Sequence, residues 1–285
     1  LSAIAALMMV WYAVSAGLRP LDRLREAVEE RQPDDLRPLP EVRVQKELRP
    51  LVAALNHFTV RLRGLFDRQS QFIAEASHEL RTPLAALKAR LELGLREQDP
   101  QQWRATLVEA VQNTDRVTGL ANQLLSLARV ESGARAIAEG AGERIELGQL
   151  ARELGLALAP LAYSRGVALA LEADEPAWVK GDPTLLYELL SNLVDNAIAH
   201  APAEGNVIIR VRSPAELEVE DDGPGIPAEE RDKVFRRFYR RRQQGTGLGL
   251  AIVGEICSAH RARIELGQGA LGGLLVRVTF PAENA

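Results

Sequence analysis

The chain has 285 residues, 46% of them hydrophobic and 26% charged, with a formal net charge of −4. That length exceeds one ordinary domain and falls short of three, and the composition excludes a disordered chain, a collagen-like repeat and a polytopic membrane protein. The negative balance gives no global basic field, so no direct nucleic-acid binding is expected. One cysteine, Cys257, can make neither an internal disulfide nor a multi-cysteine zinc site.

Residues 1–18, LSAIAALMMVWYAVSAGL, carry no charge. A helix of about 17 residues is the lower limit for crossing a bilayer. Arg19, Arg23 and Arg25 follow directly, which by the positive-inside rule places the rest of the chain in the cytoplasm. The segment is therefore expected to be a transmembrane helix. A start at Leu1 instead of Met further suggests a truncated sequence with a sensing region upstream. Leu21, Leu24 and Val28 then form a short coiled-coil seam, broken by a proline-rich connector from Gln32 to Pro40. Leu48, Leu51, Leu55, Phe58, Leu62 and Leu65 alternate steps of three and four, which predicts a sustained dimer seam. Two short helices joined by an extended connector, with Pro20 at the opening, resemble a HAMP signal-relay module over 19–66.

The helical pattern continues through Phe72, Leu80, Leu84, Leu87 and Leu91 and stops between Gly94 and Pro100. A second amphipathic helix follows, carrying Trp103, Leu107, Val111, Ala121, Leu124 and Ala128. This hairpin, over 67–132, buries too little alone and would complete a four-helix bundle by dimerising. A Gly/Ala-rich stretch reads as a linker over 133–143. Beyond it, strands are predicted at Val167–Leu171, Val207–Arg212, Leu217–Glu220, Arg263–Leu266 and Leu275–Phe280. Helices are predicted at Leu147–Tyr163, Pro183–Ala201 and Leu248–Ala259. This proportion indicates a compact two-layer α/β domain over 144–285.

On the hairpin, FIAEASHELRTPL places Glu79 beside His78 and Thr82 one helical turn further along the same face. Pro83 removes one backbone hydrogen bond and should loosen the helix beside the histidine. A neutral imidazole attacks phosphorus through one nitrogen when the other is held by a base, a task that suits the neighbouring carboxylate. The string HELRTP resembles the H box of bacterial two-component sensor histidine kinases. That resemblance makes His78 the phospho-acceptor, Glu79 its base and Thr82 the residue that assists phosphatase chemistry.

Three further strings point to a nucleotide. ELLSNLVDNAIAHAP sets Asn192 and Asn196 four apart on a helix, where two amide oxygens can share one hard cation. VEDDGPGIP puts Asp221 at a strand end before Gly223 and Gly225; taken alone it reads as an ordinary Asp-Gly turn. GTGLGLAIV sets Gly245, Gly247 and Gly249 before an apolar helix whose free N–H groups can hold phosphate. It follows no strand of a βαβ unit, and the chain has no GxxxxGK[ST], which argues against Rossmann and P-loop sites.

In this order the strings resemble the N, G1 and G2 boxes of the GHKL (Bergerat-fold) ATPases, and VFRRFYR resembles the F box that lies between the latter two in histidine kinases. The resemblance implies ATP with Mg²⁺ as cofactors, held as metal by Asn192 and Asn196, with Asp221 on adenine and the three glycines as lid hinge. It also implies a homodimer in the bacterial inner membrane that passes phosphoryl to a response regulator receiver domain. Ala199 stands where the family commonly has a phosphate-touching lysine, and His200 stands next to it near the triphosphate. The missing charge is expected from Arg237, Arg240, Arg241 or Arg242. The rival readings are a GHKL ATPase of another kind, which has no need of HELRTP, and a weakened phosphatase or scaffold receptor, which Ala199 and the short lid would suit.

Overall fold

The computed structural model describes residues 3–4, 7–12, 15, 22, 25–26, 35, 37–39, 48–96, 99–138, 142–173, 175–240 and 245–281. By its contacts the chain falls into two units, Leu1–Glu79 and Leu80–Ala285. Helix α1, Arg49–Gly94, carries residues of both and runs without interruption through Pro83.

In the first unit, the described residues among 3–15 are helical. Half of the expected membrane segment, and all three residues of the expected seam of Leu21, Leu24 and Val28, lie outside the described residues. Among the described residues no helix is long and apolar enough to cross a membrane. Asn56 reads the backbone of the connector at both ends of one residue: its Oδ1 accepts the Leu39 N–H at 2.6 Å and its Nδ2 donates to the Leu39 carbonyl at 3.0 Å. Leu39 is buried, and Val52 is fully so, while the seam residues Leu51, Phe58 and Leu65 stay more than half exposed.

The second unit begins with the hairpin of α1 and α2, Pro100–Ala138. Arg90 pairs with Glu109 across it. The helix continues to Ala138, into the stretch expected to be a linker. Ala and Arg there are strong helix formers, and the backbone at Gly133 lies so near α4 that a Cβ would stand 2.7 Å from Leu185 Cδ1.

The α/β layer contains β1 (Glu143–Glu146), α3 (Leu147–Ser164), β2 (Ala168–Glu172), β3 (Trp178–Gly181), α4 (Pro183–His200), β4 (Asn206–Arg212), β5 (Glu216–Asp221), α5 (Gly249–Ala259), β6 (Arg263–Gln268) and β7 (Leu274–Thr279). A five-stranded sheet runs β2-β4-β5-β7-β6, parallel between β2 and β4 and antiparallel elsewhere, and β1 pairs with β3 as a separate two-stranded ribbon. The sheet is two-faced because its strands alternate. Val207, Ile209, Val211, Leu217, Val219, Val276 and Val278 are buried with Leu189, Leu193, Ile252 and Ile256 of the helices. All the expected strands and helices of this layer are present. β1 and β3 went unread because each has four residues, too few to display a period.

The starts of α3 and α4 are capped by side chains. Glu146 accepts from the N–H groups of Gly148 and Gln149, opening α3, and Asp182 accepts from Thr184 and Leu185, opening α4 with Pro183 at its first position.

Candidate nucleotide cleft and phospho-acceptor helix

α4 projects Asn192, Asp195, Asn196, Ala199 and His200 into a cleft of about 590 Å³. The end of β5 and the turn beyond it add Asp221, Pro224, Gly225 and Ile226; the segment before α5 adds Tyr239, Arg240, Gly245, Thr246 and Gly247. Three strings widely separated in sequence therefore meet in one concave site.

Asn192 presents its oxygen to the cleft. Asn192 Nδ2 donates to the Glu188 carbonyl at 2.9 Å, which turns Oδ1 toward Gly249, where a Cβ would come within 3.2 Å of it. α5 opens at Gly249 with no side-chain cap, so the N–H groups of its first turn are not consumed by a capping residue. Asp221 is buried; its Oδ1 accepts from Gly223 N at 2.8 Å and Leu274 N at 3.3 Å. Burial pushes its carboxyl above the ordinary range, against the pull of those two N–H groups.

Gly247 has a structural reason to be glycine: φ is +73°, and a Cβ would lie 2.7 Å from the Tyr239 carbonyl oxygen. The facing backbone is itself unusual, since Phe238 adopts φ +61°.

Of the residues read from the sequence, Asn192, Asn196, His200, Asp221, Gly225, Gly245, Gly247 and Gly249 line this cleft together. Gly223 lies behind Asp221, close under the His200 carbonyl, and does not line it. Arg237 does not line it either: its Nη2 pairs with Glu255 Oε1 of α5 at 3.1 Å, which turns the guanidinium onto the helix surface. Arg240 lines the cleft, and Arg241 and Arg242 lie outside the described residues.

Three lining residues lie outside the strings singled out in the sequence: Leu274 at the start of β7, and two polar side chains. Arg165, at the end of α3, bears on Asp195. Gln123 of α2 accepts a hydrogen bond from Thr246 Oγ1 and lines the cleft from the hairpin side. Neither sits in a motif, so only the fold brings them there.

On α1, His78 is strongly exposed and Glu79 partly so; His78 Nδ1 lies 3.9 Å from Glu79 Oε1, longer than a hydrogen bond but within ion-pair range. Thr82 is exposed on the same helix.

Three family models match the chain: a PhoQ-like sensor HAMP domain over 18–64, the His Kinase A phospho-acceptor domain over 68–133, and the ATPase of histidine kinases, DNA gyrase B and HSP90 over 181–284. Sensor protein kinase PmrB of Pseudomonas aeruginosa is 36% identical over 281 residues, 96% of this chain and 58% of that protein. The histidine-protein kinase/phosphatase MprB of Mycolicibacterium smegmatis is 34% identical over 90% of this chain and 54% of its own length. The chain thus spans little more than half of these relatives. Among solved structures, Acinetobacter baumannii histidine kinase AdeS is similar with a TM-score of 0.56 and 25% identity, over 73% of this chain and 98% of that one. With the phospho-acceptor and ATPase models matched in this order behind a HAMP model, the chain belongs to the two-component sensor histidine kinases.

Proposed function

We propose that the chain is the signalling half of an ATP-dependent protein histidine kinase that phosphorylates itself on His78. The observation that carries this is the single cleft in which Asn192, Asn196, Asp221 and the N-terminus of α5 converge. Their chemistry fits a nucleotide with its cation: a carboxylate for an amino group, amide oxygens for a hard metal, and helix N–H groups for phosphate.

Asp221 accepts from the adenine amino group and so fixes the base. Asn192 and Asn196 would hold Mg²⁺, which would supply neutralisation of the phosphate charge. The N–H groups at Gly247 and Gly249, with Arg240 and His200, hold the phosphates; Arg240 supplies the positive charge that Ala199 lacks. With Nδ1 facing Glu79, the nitrogen that attacks is Nε2. It forms the N–P bond as the bond from the γ-phosphorus to the bridging oxygen breaks and ADP leaves, while the Nδ1 proton is held and taken by Glu79. Most of the catalysis is positioning and charge neutralisation, because phosphoryl transfer asks little else of a protein.

The phosphoryl then passes to an aspartate of a response regulator receiver domain, and Thr82 assists its return to water. The exposed seam of Leu51, Phe58 and Leu65 supports a homodimer, since heptad-spaced apolar residues are seldom left in water. Residues 1–18 anchor the chain in the inner membrane, with the cleft in the cytoplasm.

Incubation of the chain with γ-labelled ATP tests the reading. Acid-labile label is expected on the wild type and absent from His78→Gln; label that survives this substitution would overturn it.

A further inference from the structure

We propose that Glu220 is a positioning residue for Asp221, acting through the turn between β6 and β7 to set adenine specificity. This rests on reading Asp221 as the adenine contact. The two carboxylates are neighbours on β5 and point to opposite faces of the sheet, yet both are buried.

A buried carboxylate costs several kcal/mol to desolvate unless its oxygens are occupied. Those of Glu220 are. Arg210 Nη1 donates to Oε2, and the Leu271 N–H donates to Oε1 at 2.6 Å. Burial alone would raise this carboxyl's pKa; the Arg210 guanidinium and the backbone N–H groups of Leu271 and Ala270 outweigh it and hold it below the ordinary value.

Leu271 belongs to the turn 269–273, Gly-Ala-Leu-Gly-Gly, closed by Gly269 N to Gly273 O and Gly272 N to Gly269 O, each 3.1 Å. Three glycines in five residues make this segment costly to order, and its far end reaches Asp221. Leu274 N–H bonds Asp221 Oδ1 at 3.3 Å, and a Cβ on Gly273 would stand 2.5 Å from Gly223 N. At the near end, a Cβ on Gly269 would overlap Glu220 Oε1 outright. The turn is thus pressed between two carboxylates: Glu220 anchors it on one side, and on the other Leu274, the strand residue that follows it, gives Asp221 Oδ1 a second N–H beside that of Gly223. Freed from Glu220, the Leu274 N–H moves, and with it the oxygen that meets the adenine amino group. Guanine offers a carbonyl at that position, so a loosely held Asp221 discriminates less.

The test measures ATP and GTP affinity calorimetrically, each with Mg²⁺, on the 285-residue chain. Asp221→Asn must abolish the preference for ATP; if the preference survives, both the Asp221 reading and this proposal fall. Where Asp221→Asn abolishes it, Glu220→Ala is expected to lower it about tenfold, the equivalent of one hydrogen bond. Glu220→Gln, whose amide oxygen can still accept the Leu271 N–H, is expected to keep the preference within about twofold although it loses the Arg210 pair and melts lower. A Glu220→Ala chain that keeps the full preference overturns the proposal. So does a parallel loss in Glu220→Gln, which would mark a merely structural charge pair. If Glu220→Ala fails to fold, Gly269→Ala decides, because its methyl displaces Glu220 Oε1: loss of preference supports the proposal and retention overturns it.

Discussion

Lowering the pH from 7.5 to 5.5 is expected to destabilise the α/β layer through one side chain, His260. The ring is 5% exposed, at the end of α5. Its Nδ1–H donates to the Ile256 carbonyl at 2.9 Å, Nε2 accepts the Asp182 N–H at 3.2 Å, and its plane meets Phe280 edge-on. Both nitrogens are satisfied only in that neutral tautomer. A proton on Nε2 would confront the Asp182 N–H, and Gly181 lies so close that a Cβ there would reach 2.5 Å from Nε2. Burial holds the pKa below the ordinary 6.5, against the Ile256 hydrogen bond and the Asp182 charge. The unfolded chain therefore takes up the proton first as pH falls. The stability is complete above 6.5 and is lost below it, with a limiting slope of about 1.4 kcal/mol per pH unit. Between pH 6.5 and 5.5 that slope caps the loss at about 1 kcal/mol, or roughly 2–4 °C in the melting temperature of a domain this size. Glu188, Asp195 and Asp221, raised by burial, act in the opposite sense at lower pH but equally in any His260 variant. Scanning calorimetry of wild type and His260→Gln at pH 7.5, 6.5 and 5.5 isolates the effect as a difference. Equal losses in the two chains between pH 6.5 and 5.5 would refute the reasoning.

Gly247→Ala must adopt a left-handed conformation and press on the Phe238–Tyr239 backbone, so ATP affinity should fall at least about tenfold by calorimetry. Gly245→Ala, at φ +82° with nothing within 4 Å among the described residues, bears a conformational strain of about 1 kcal/mol and should lose less; the reverse ranking would contradict the geometry. Asp182→Ala removes the acceptor for Thr184 N at 2.8 Å and Leu185 N at 3.1 Å, and should cost about 1 kcal/mol, seen as a melting point lower by about 2–4 °C and recovered in Asp182→Asn. Cys257, buried and with its thiol pushed up to about 12, should resist iodoacetamide at pH 8 until the chain is unfolded in guanidinium, as mass spectrometry would record.

What the sequence made legible was what lies within one turn or one strand. Asn192 and Asn196 declare themselves because a spacing of four is a helix face, and GTGLGLAIV because glycines before an apolar run mark a helix with open N–H groups. The bonds that join such pieces are long-range and have no local signature. Gln123 meets Thr246 across 123 positions, and Leu274 meets Asp221 across 53. Arg237 illustrates the same limit: charge composition named four candidate arginines, and it is Glu255, 18 positions on along α5, that draws the Arg237 guanidinium away from the cleft lining.

The open face of the sheet poses a physical problem that its charges solve. In register across all five strands stand Glu172, Arg210, Glu218, Arg277 and Glu265, alternating in sign. Arg210 reaches Glu172 at 2.7 Å and Arg277 reaches Glu218 at 2.6 Å. Apolar residues in this row could match the ladder in stability, since buried ion pairs often do no better than well-packed hydrocarbon. They would also leave an apolar stripe five strands wide in water, an invitation to association. The alternating row keeps cross-strand contact without that patch, and it brings Arg210 to the sheet's centre, where a buried carboxylate beside the nucleotide site needs its countercharge.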